Sequence, residues 1–462
     1  MVFLGLLDLN FADDGVKMKK LPVKPLPKVM HTHLSAPALL NQVRSDFEQV
    51  NDPRRYGQQF SLADVLMSGV AVFGLKFPSL LKFDENRNEA RIRANLQSLY
   101  GVNQAPCDTQ LRAVCDQVNP VELQAPFIHI HQRLYDHGFL EKFRYLGGFL
   151  FSIDGTGQFA SSSICCPHCC QRHHRNGQVG YYHQLLAAVR VHPDQKVVLP
   201  FCPEAITHQD GDSKNDCELN ASQRLLKRLR EALPTWPIRV VEDSLFANGP
   251  HLNLLKELNI GYIISVKPEG QESLFAEVKD RFFKQETEEF EVVGDDKMVR
   301  GYRWINHIPL NKSHPDLRVN FLDYWEIRDG KEFNFSWITD IELTKDNVEL
   351  VMKGGRSRWH IENQTFNTLK NQDYEFEHNF GHGKQYLATV LAMLMMLAFL
   401  IDQVQEYGCA FFQAARQRFH SRTSLWIKIK GLFTEFFIES WEVLWRAIIN
   451  GHGGGFLQAN TS

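Results

Sequence analysis

An α/β fold is predicted, a mixed sheet flanked by helices, with further helical regions before and after it. Three observations predict it. Residues 31–147 carry apolar side chains at helical spacing. From Gly147 the apolar residues gather into short continuous runs, as in buried strands. Strand, helix and strand patterns then alternate, and helical spacing returns at Leu387.

Helical periodicity covers Ala36–Asp46, Leu62–Val72, Glu89–Leu99, Asp108–Val118 and Val121–Leu140, and Cys107 with Asp108 and Thr109 resembles an N-cap. Strands are predicted at Gly148–Asp154, Gln158–Ile164, Tyr181–His192 and Lys196–Pro200. Asn220–Leu233 is an amphipathic helix bearing Arg224, Lys227, Arg228 and Arg230. A strand at Ile238–Asp243, a helix at Pro250–Leu258 and a strand at Ile260–Val266 follow it. Residues 268–347 alternate short aromatic and charged runs, Phe290–Val293, Val299–Trp304, Val319–Glu326 and Phe333–Ile338, which read as small antiparallel strands inserted into the core. A long helix is predicted from about Gly355, Leu387–Asn450 is helical, and Gly451–Ser462 is a frayed tail.

These elements divide the chain into a mostly helical region at 1–147, the first part of a core at 148–267, a β-rich insertion at 268–347, a helix completing the core at 348–400, and a C-terminal helical region at 401–462. The first region suits recognition of DNA ends.

With 462 residues, 44% hydrophobic and 23% charged, the chain is of ordinary globular composition, which excludes the disordered and fibrous classes. The net charge of −3 gives no global basic signature, so nucleic-acid binding requires a local basic face. Lys17, Lys19, Lys20, Lys24 and Lys28, set among prolines, are either a solvated leader or a phosphate-contacting arm. The apolar opening lacks a basic flank and runs into Asp8, Asp13 and Asp14, so no secretory signal is read and a cytoplasmic location is expected. The apolar run Leu387–Ile401 falls short of the roughly 20 residues that span a bilayer and is expected to be a buried helix.

Two predicted strands of the same sheet end in Asp154 and Asp243, and Glu362 lies on the long helix with Arg358 one turn before it. Singly, an Asp after a strand is a turn or helix cap, and an Arg–Glu pair four apart is a surface ion pair. Together, three carboxylates from two strands and a helix are suited to two hard divalent cations, Mg²⁺ or Mn²⁺, that drive an in-line displacement at phosphorus.

In this order the residues resemble the bacterial insertion-sequence transposases of the DDE type, in the branch with a β-rich insertion between the second Asp and the Glu. The resemblance runs from about Leu80 to Leu400 and rests on Phe151-Ser-Ile-Asp154, Val240-Val-Glu-Asp243 and Arg358-Trp-His-Ile-Glu362. It implies an RNase H-like catalytic core, catalytic and Mg²⁺-binding roles for Asp154, Asp243 and Glu362, and DNA-phosphate contacts from Arg358 and Lys370. It also implies cleavage and strand transfer at the terminal inverted repeats of an element into target DNA by a homodimer or larger assembly, with no covalent protein–DNA intermediate. The spacings fit, 243 − 154 = 89 and 362 − 243 = 119 residues. Two positions depart from the family: Lys370 is eight residues past the Glu where seven is the rule, Leu369 taking the expected place, and Gly355 stands where the family has Tyr.

Cys166 and Cys169 have zinc-knuckle spacing, and His174 and His183 are the candidates to complete a structural Zn²⁺ site, with Cys165, His168, Cys170, His173 and Cys217 as rival ligands. Buried thiols with solvent-facing histidines are the plain alternative. The acidic stretch Asp210, Asp212, Asp216 and Glu218 reads as a solvated turn and cap, with Asp216 and Glu218 available to support the site. His378 and His382 read as part of a Gly-terminated helix end, and Trp359 as a core residue. The rival functions are an RNase H-like nuclease that cuts without joining and a catalytically dead DNA-binding derivative.

Overall fold

Six helices precede the sheet: α1 (Ala36–Phe47), α2 (Leu62–Gly74), α3 (Leu80–Asn86), α4 (Ala90–Tyr100), α5 (Asp108–Cys115) and α6 (Ala125–Asp136). The computed structural model describes residues 33–55, 58–211, 214–296, 298–451 and 458–459, so the basic leader, Asp212 and most of the tail lie outside the described residues. Ser61 and Ser79 accept the N3 backbone N–H at the starts of α2 and α3. Cys107 holds the N-cap position of α5, but its side chain makes no capping bond. The predicted helix Val121–Leu140 is shorter, because Pro126 in the first turn of α6 lacks an N–H and so starts a helix rather than continuing one.

Among the described strands, Phe436–Phe437 pairs with Gln458–Ala459 in a two-stranded sheet, and twelve others form one sheet. They are β1 (Arg144–Tyr145), β2 (Gly148–Ser161), β3 (Cys170–His173), β4 (Val179–Val191), β5 (Leu199–Pro200), β6 (Glu204–Ile206), β7 (Ile238–Glu242), β8 (Gly261–Val266), β9 (Glu288–Val293), β10 (Val299–Asn311), β11 (His314–Arg328) and β12 (Lys331–Thr339). The order is β3-β4-β2-β7-β8-β12-β11-β10-β9, with β1 on β2 and both β5 and β6 on β4. β2, β7 and β8 are mutually parallel and the other pairings antiparallel. Helices α7 (Lys214–Ala232) and α8 (Gly249–Glu257) make the crossovers between the parallel strands. Phe149, Leu150 and Phe151 are fully buried, which marks β2 as a central strand covered on both faces.

One expectation is corrected here. The separate strands Gly148–Asp154 and Gln158–Ile164 are one strand of 14 residues, since β4 pairs along it with only a register shift between Gly157 and Phe159. Asp154 therefore lies within a strand, not at its end. The strands of the 268–347 segment join the core sheet: β12 pairs with β8, Thr339 against Ile263, so the four added strands extend it and cover the edge of β8. The segment also contains a helix, α9 (Glu272–Phe283), that periodicity did not reveal.

The long helix is broken into α10 (Val348–Arg356), a turn at 357–358, a π-helical turn at Ile361–Phe366 and α11 (Asn367–Asn371). Then come α12 (Leu387–Gly408), α13 (Ala410–Gln417), α14 (Arg422–Glu435) and α15 (Trp441–Asn450). The expected boundary at 400/401 falls inside α12. This helix has 22 residues and is long and apolar enough to cross a membrane, but 89% of its apolar window is buried inside the fold, where it packs against α2. The last helices return to the first: Asn95 Nδ2 donates to Phe433 O (2.8 Å) and Phe436 O (2.7 Å), and its Oδ1 accepts from Ile438 N (2.7 Å). Both helical regions thus belong to one continuous core with the sheet.

Candidate functional site

Strand register brings the first two carboxylates together. Phe149 pairs with Ile238 and Ser152 with Val241, an offset of 89 residues (238 − 149). The separation of Asp154 and Asp243 is the same, so continuing the register by two residues sets them side by side. Cβ atoms on one rung point to one face, and neighbouring strands are about 4.8 Å apart. Asp243 follows the last residue of β7 and also caps the next turn, its Oδ1 accepting from Leu245 N at 2.9 Å. Capping and clustering are here compatible roles of one side chain.

Glu362 reaches the same place through Arg358. Arg358 Nη1 lies 3.1 Å from Asp154 Oδ2 and 2.9 Å from Glu362 Oε1, so one guanidinium nitrogen bridges both carboxylates. The helix is tied to the strand directly as well, Ser152 Oγ donating to Arg358 O at 3.1 Å. Burial pushes the Asp154 carboxyl up to about 7. Arg358 and the Gly155 N–H oppose this, while the negative charges of Asp243 and Glu362 add to it. The second aspartate and the glutamate are therefore felt at Asp154. Gly155 permits a close approach, since a Cβ there would lie 3.0 Å from the buried carboxylate of Glu218.

Asp210 is committed elsewhere, capping Thr207 and pairing with Arg224 at 2.6 Å. Trp359 is not in the core: it is 48% exposed, with the Arg358 guanidinium 4.8 Å from its ring.

The stretch from Glu362 to Lys370 passes through a π-helical turn, which takes one residue more than an α turn. Leu369 is fully buried, while Lys370 lines an open groove of about 690 Å³ with Gln158, Phe159, Arg172 and Tyr181. Lys370 Nζ is 2.7 Å from Glu377 Oε1. Gly355 is imposed by packing, for a Cβ there would come within 2.4 Å of the Trp337 indole Nε1.

The cysteine–histidine expectation is corrected in one ligand. Among the described residues, Cys166, Cys169, His183 and His382 present donor atoms that all lie within 4.8 Å of one another. His174 is outside this group. The β3–β4 register, Cys170 against Tyr182 and His173 against Val179, extends to set Cys169 opposite His183. It leaves His174 at the hairpin tip, five residues or about 16 Å up the ladder. His382 lies 213 residues from Cys169 in sequence, so local spacing gave no signal for it. Arg358 stands between Asp154 and Glu362.

No protein-family model matches the chain, and no curated protein matches it. Among solved structures it is similar to a piggyBac transposase in a synaptic complex with hairpin DNA, with a TM-score of 0.42 and 10% sequence identity over 95% of this chain and 88% of that one.

Proposed function

We propose that the chain is a DDE-type transposase that cuts DNA at the ends of an insertion sequence and joins the freed ends to target DNA. The observation that supports this is the bridging of Asp154 and Glu362 by Arg358, with the charge of Asp243 also felt at Asp154. Asp154 lies on β2, Asp243 follows the end of the parallel strand β7, and Glu362 lies on a helix docked on β2. The parallel pair β2–β7 with antiparallel β4 on the other side of β2 supports an RNase H-like core.

The oxygen-only donor set and the partly exposed carboxylates, whose charges act on one another, fit Mg²⁺ or Mn²⁺, which Asp154, Asp243 and Glu362 would hold. Two such ions supply activation of the attacking water or 3′-hydroxyl and stabilisation of the leaving oxygen. Arg358, which neutralises Asp154 and Glu362 in their absence, then turns its planar fork to a DNA phosphate. Lys370 holds a second phosphate along the groove, and exposed Trp359 offers a ring on which an unstacked base can lie. The DNA partners are the terminal inverted repeats and the target, and synapsis of two ends requires a dimer.

The test is a strand-transfer assay with a pre-cut 3′-hydroxyl end and Mg²⁺. Joined product that vanishes in Asp243→Ala supports the proposal. Cleavage without joining identifies a nuclease instead, and metal-dependent nicking that survives Asp243→Ala overturns the site.

A further inference from the structure

We infer that Cys166, Cys169, His183 and His382 bind one structural Zn²⁺, and that this ion staples the loop after the Glu362 helix to the hairpin extending from the Asp154 strand. The geometry is specific. With Zn–S of about 2.3 Å and Zn–N of about 2.0–2.1 Å, a regular tetrahedron has S–S edges of about 3.8 Å and S–N edges of about 3.6 Å. Cys166 Sγ and Cys169 Sγ are 3.8 Å apart. His183 Nε2 is 3.5 Å from Cys166 Sγ and 3.6 Å from Cys169 Sγ. His382 Nε2 is 3.5 Å from Cys169 Sγ. Four of the six donor–donor distances thus match the edges of a zinc tetrahedron, and all six are within 4.8 Å.

The donor set selects the metal. Two thiolates and two imidazoles at tetrahedral corners suit Zn²⁺ rather than a hard cation. All four corners are protein atoms, so no position is left for water or substrate, and the ion braces rather than catalyses. Two thiolates also neutralise its charge, which suits a site where Cys169 and His183 are buried.

The position gives the brace its consequence. Cys166 and Cys169 lie between β2 and β3, His183 lies on β4 opposite Phe159 of β2, and His382 lies between α11 and α12. The other side of that last loop is held by Asp116, whose carboxylate accepts the backbone N–H groups of Lys384 and Gln385 (each 2.8 Å), Tyr386 (3.0 Å) and Leu387 (3.1 Å). Zinc therefore closes a ring of contacts that fixes the strand of Asp154 relative to the helix of Glu362.

The inference stands apart from the proposed transposase activity, and its test is metal content. The full chain purified from zinc-supplemented cells and assayed by elemental mass spectrometry is expected to hold about one zinc per chain. Cys169→Ser and His382→Ala are expected to fall below about 0.2, and His174→Ala to stay near one. The Co²⁺-exchanged chain should show the visible bands of a tetrahedral S₂N₂ site, and His382→Cys, which supplies a new thiolate, should retain Co²⁺ with shifted bands. That variant decides the matter if His382→Ala fails to fold. Zinc should persist in the Asp154→Ala/Asp243→Ala double variant, so loss of catalysis and loss of zinc are separable. Iron or copper in place of zinc, zinc-free wild type, or zinc lost in His174→Ala but kept in His382→Ala overturns the inference.

Discussion

The register offset of the β2–β7 ladder, 238 − 149 = 89 residues, equals the sequence separation of Asp154 and Asp243, so the ladder continued by two residues aligns them. The negative charges of Asp243 and Glu362 push the Asp154 carboxyl up, and Arg358, paired with both Asp154 and Glu362, opposes them.

Asp243→Asn is expected to lower metal-dependent DNA cleavage by about 10³-fold or more, since one oxygen donor of the site is lost. The fold should be little affected, because asparagine keeps the cap on Leu245 N. Nicking of a labelled terminal-repeat duplex, read beside a thermal melt, checks both halves; unaltered cleavage would remove Asp243 from the site.

The Asp154 carboxyl carries a pH signature. Its folded pKa is raised from the ordinary 3.8 to about 7, so the folded chain holds this proton more tightly than the unfolded chain. That contribution to stability is fully present below about pH 4 and is lost as pH rises through about 7. The melting temperature should therefore carry a component that declines between about pH 4 and 7, absent in Asp154→Asn, and Mg²⁺ should reverse the decline at pH 8. Identical pH profiles for wild type and Asp154→Asn would contradict this.

For the π-turn register the informative pair is Lys370→Ala and Leu369→Lys. Lys370→Ala should weaken DNA binding uniformly across sequences and reduce the salt slope by about one. Leu369→Lys should not compensate, because Leu369 is buried and a charge there is costly. Binding measured across a salt series decides it, and a Leu369→Lys chain that folds and binds more tightly would mean the extra residue is not absorbed in the π turn.

Gly355→Ala is expected to destabilise the chain by about 1–3 kcal/mol, as the added methyl meets the Trp337 ring. Urea titration measures this; a neutral change would show that Trp337 moves aside freely.

Lys76 is 1% exposed, with Nζ 2.7 Å from Asp402 Oδ2 and 3.9 Å from the centre of the Tyr374 ring. Lys76→Ala leaves Asp402 without its cation and is expected to cost about 3–5 kcal/mol. The same titration tests it, and a loss under about 1 kcal/mol would argue that water replaces the lysine.

Much of the fold was legible because burial imposes periodicity. The central strands announced themselves as Phe149–Phe151 and Val240–Val241, and four of the first helices began within one residue of where their spacing put them. What escaped was set by partners distant in the chain. The glycines after Asp154 read as the end of a strand, but β4 pairs across them. That the strands after residue 288 join the core sheet through the edge of β8 was not legible locally. The helix of Glu362 read as regular, whereas a π turn lies within it.

The sequence by itself determined the chemical types present, three separated carboxylates with an arginine beside the last, and a cluster of thiols and imidazoles, because composition and local spacing are properties of the chain alone. Only the tertiary structure decided which atoms meet. Strand register carried Asp154 and Asp243 toward the same end of the β2–β7 pair, docking of the Glu362 helix on β2 gave Arg358 both its carboxylates, and hairpin register excluded His174 while the loop before α12 delivered His382. The physical reason is that ligating and charge–charge contacts act over a few ångströms in space, and separation along the chain does not measure that distance until the fold closes it.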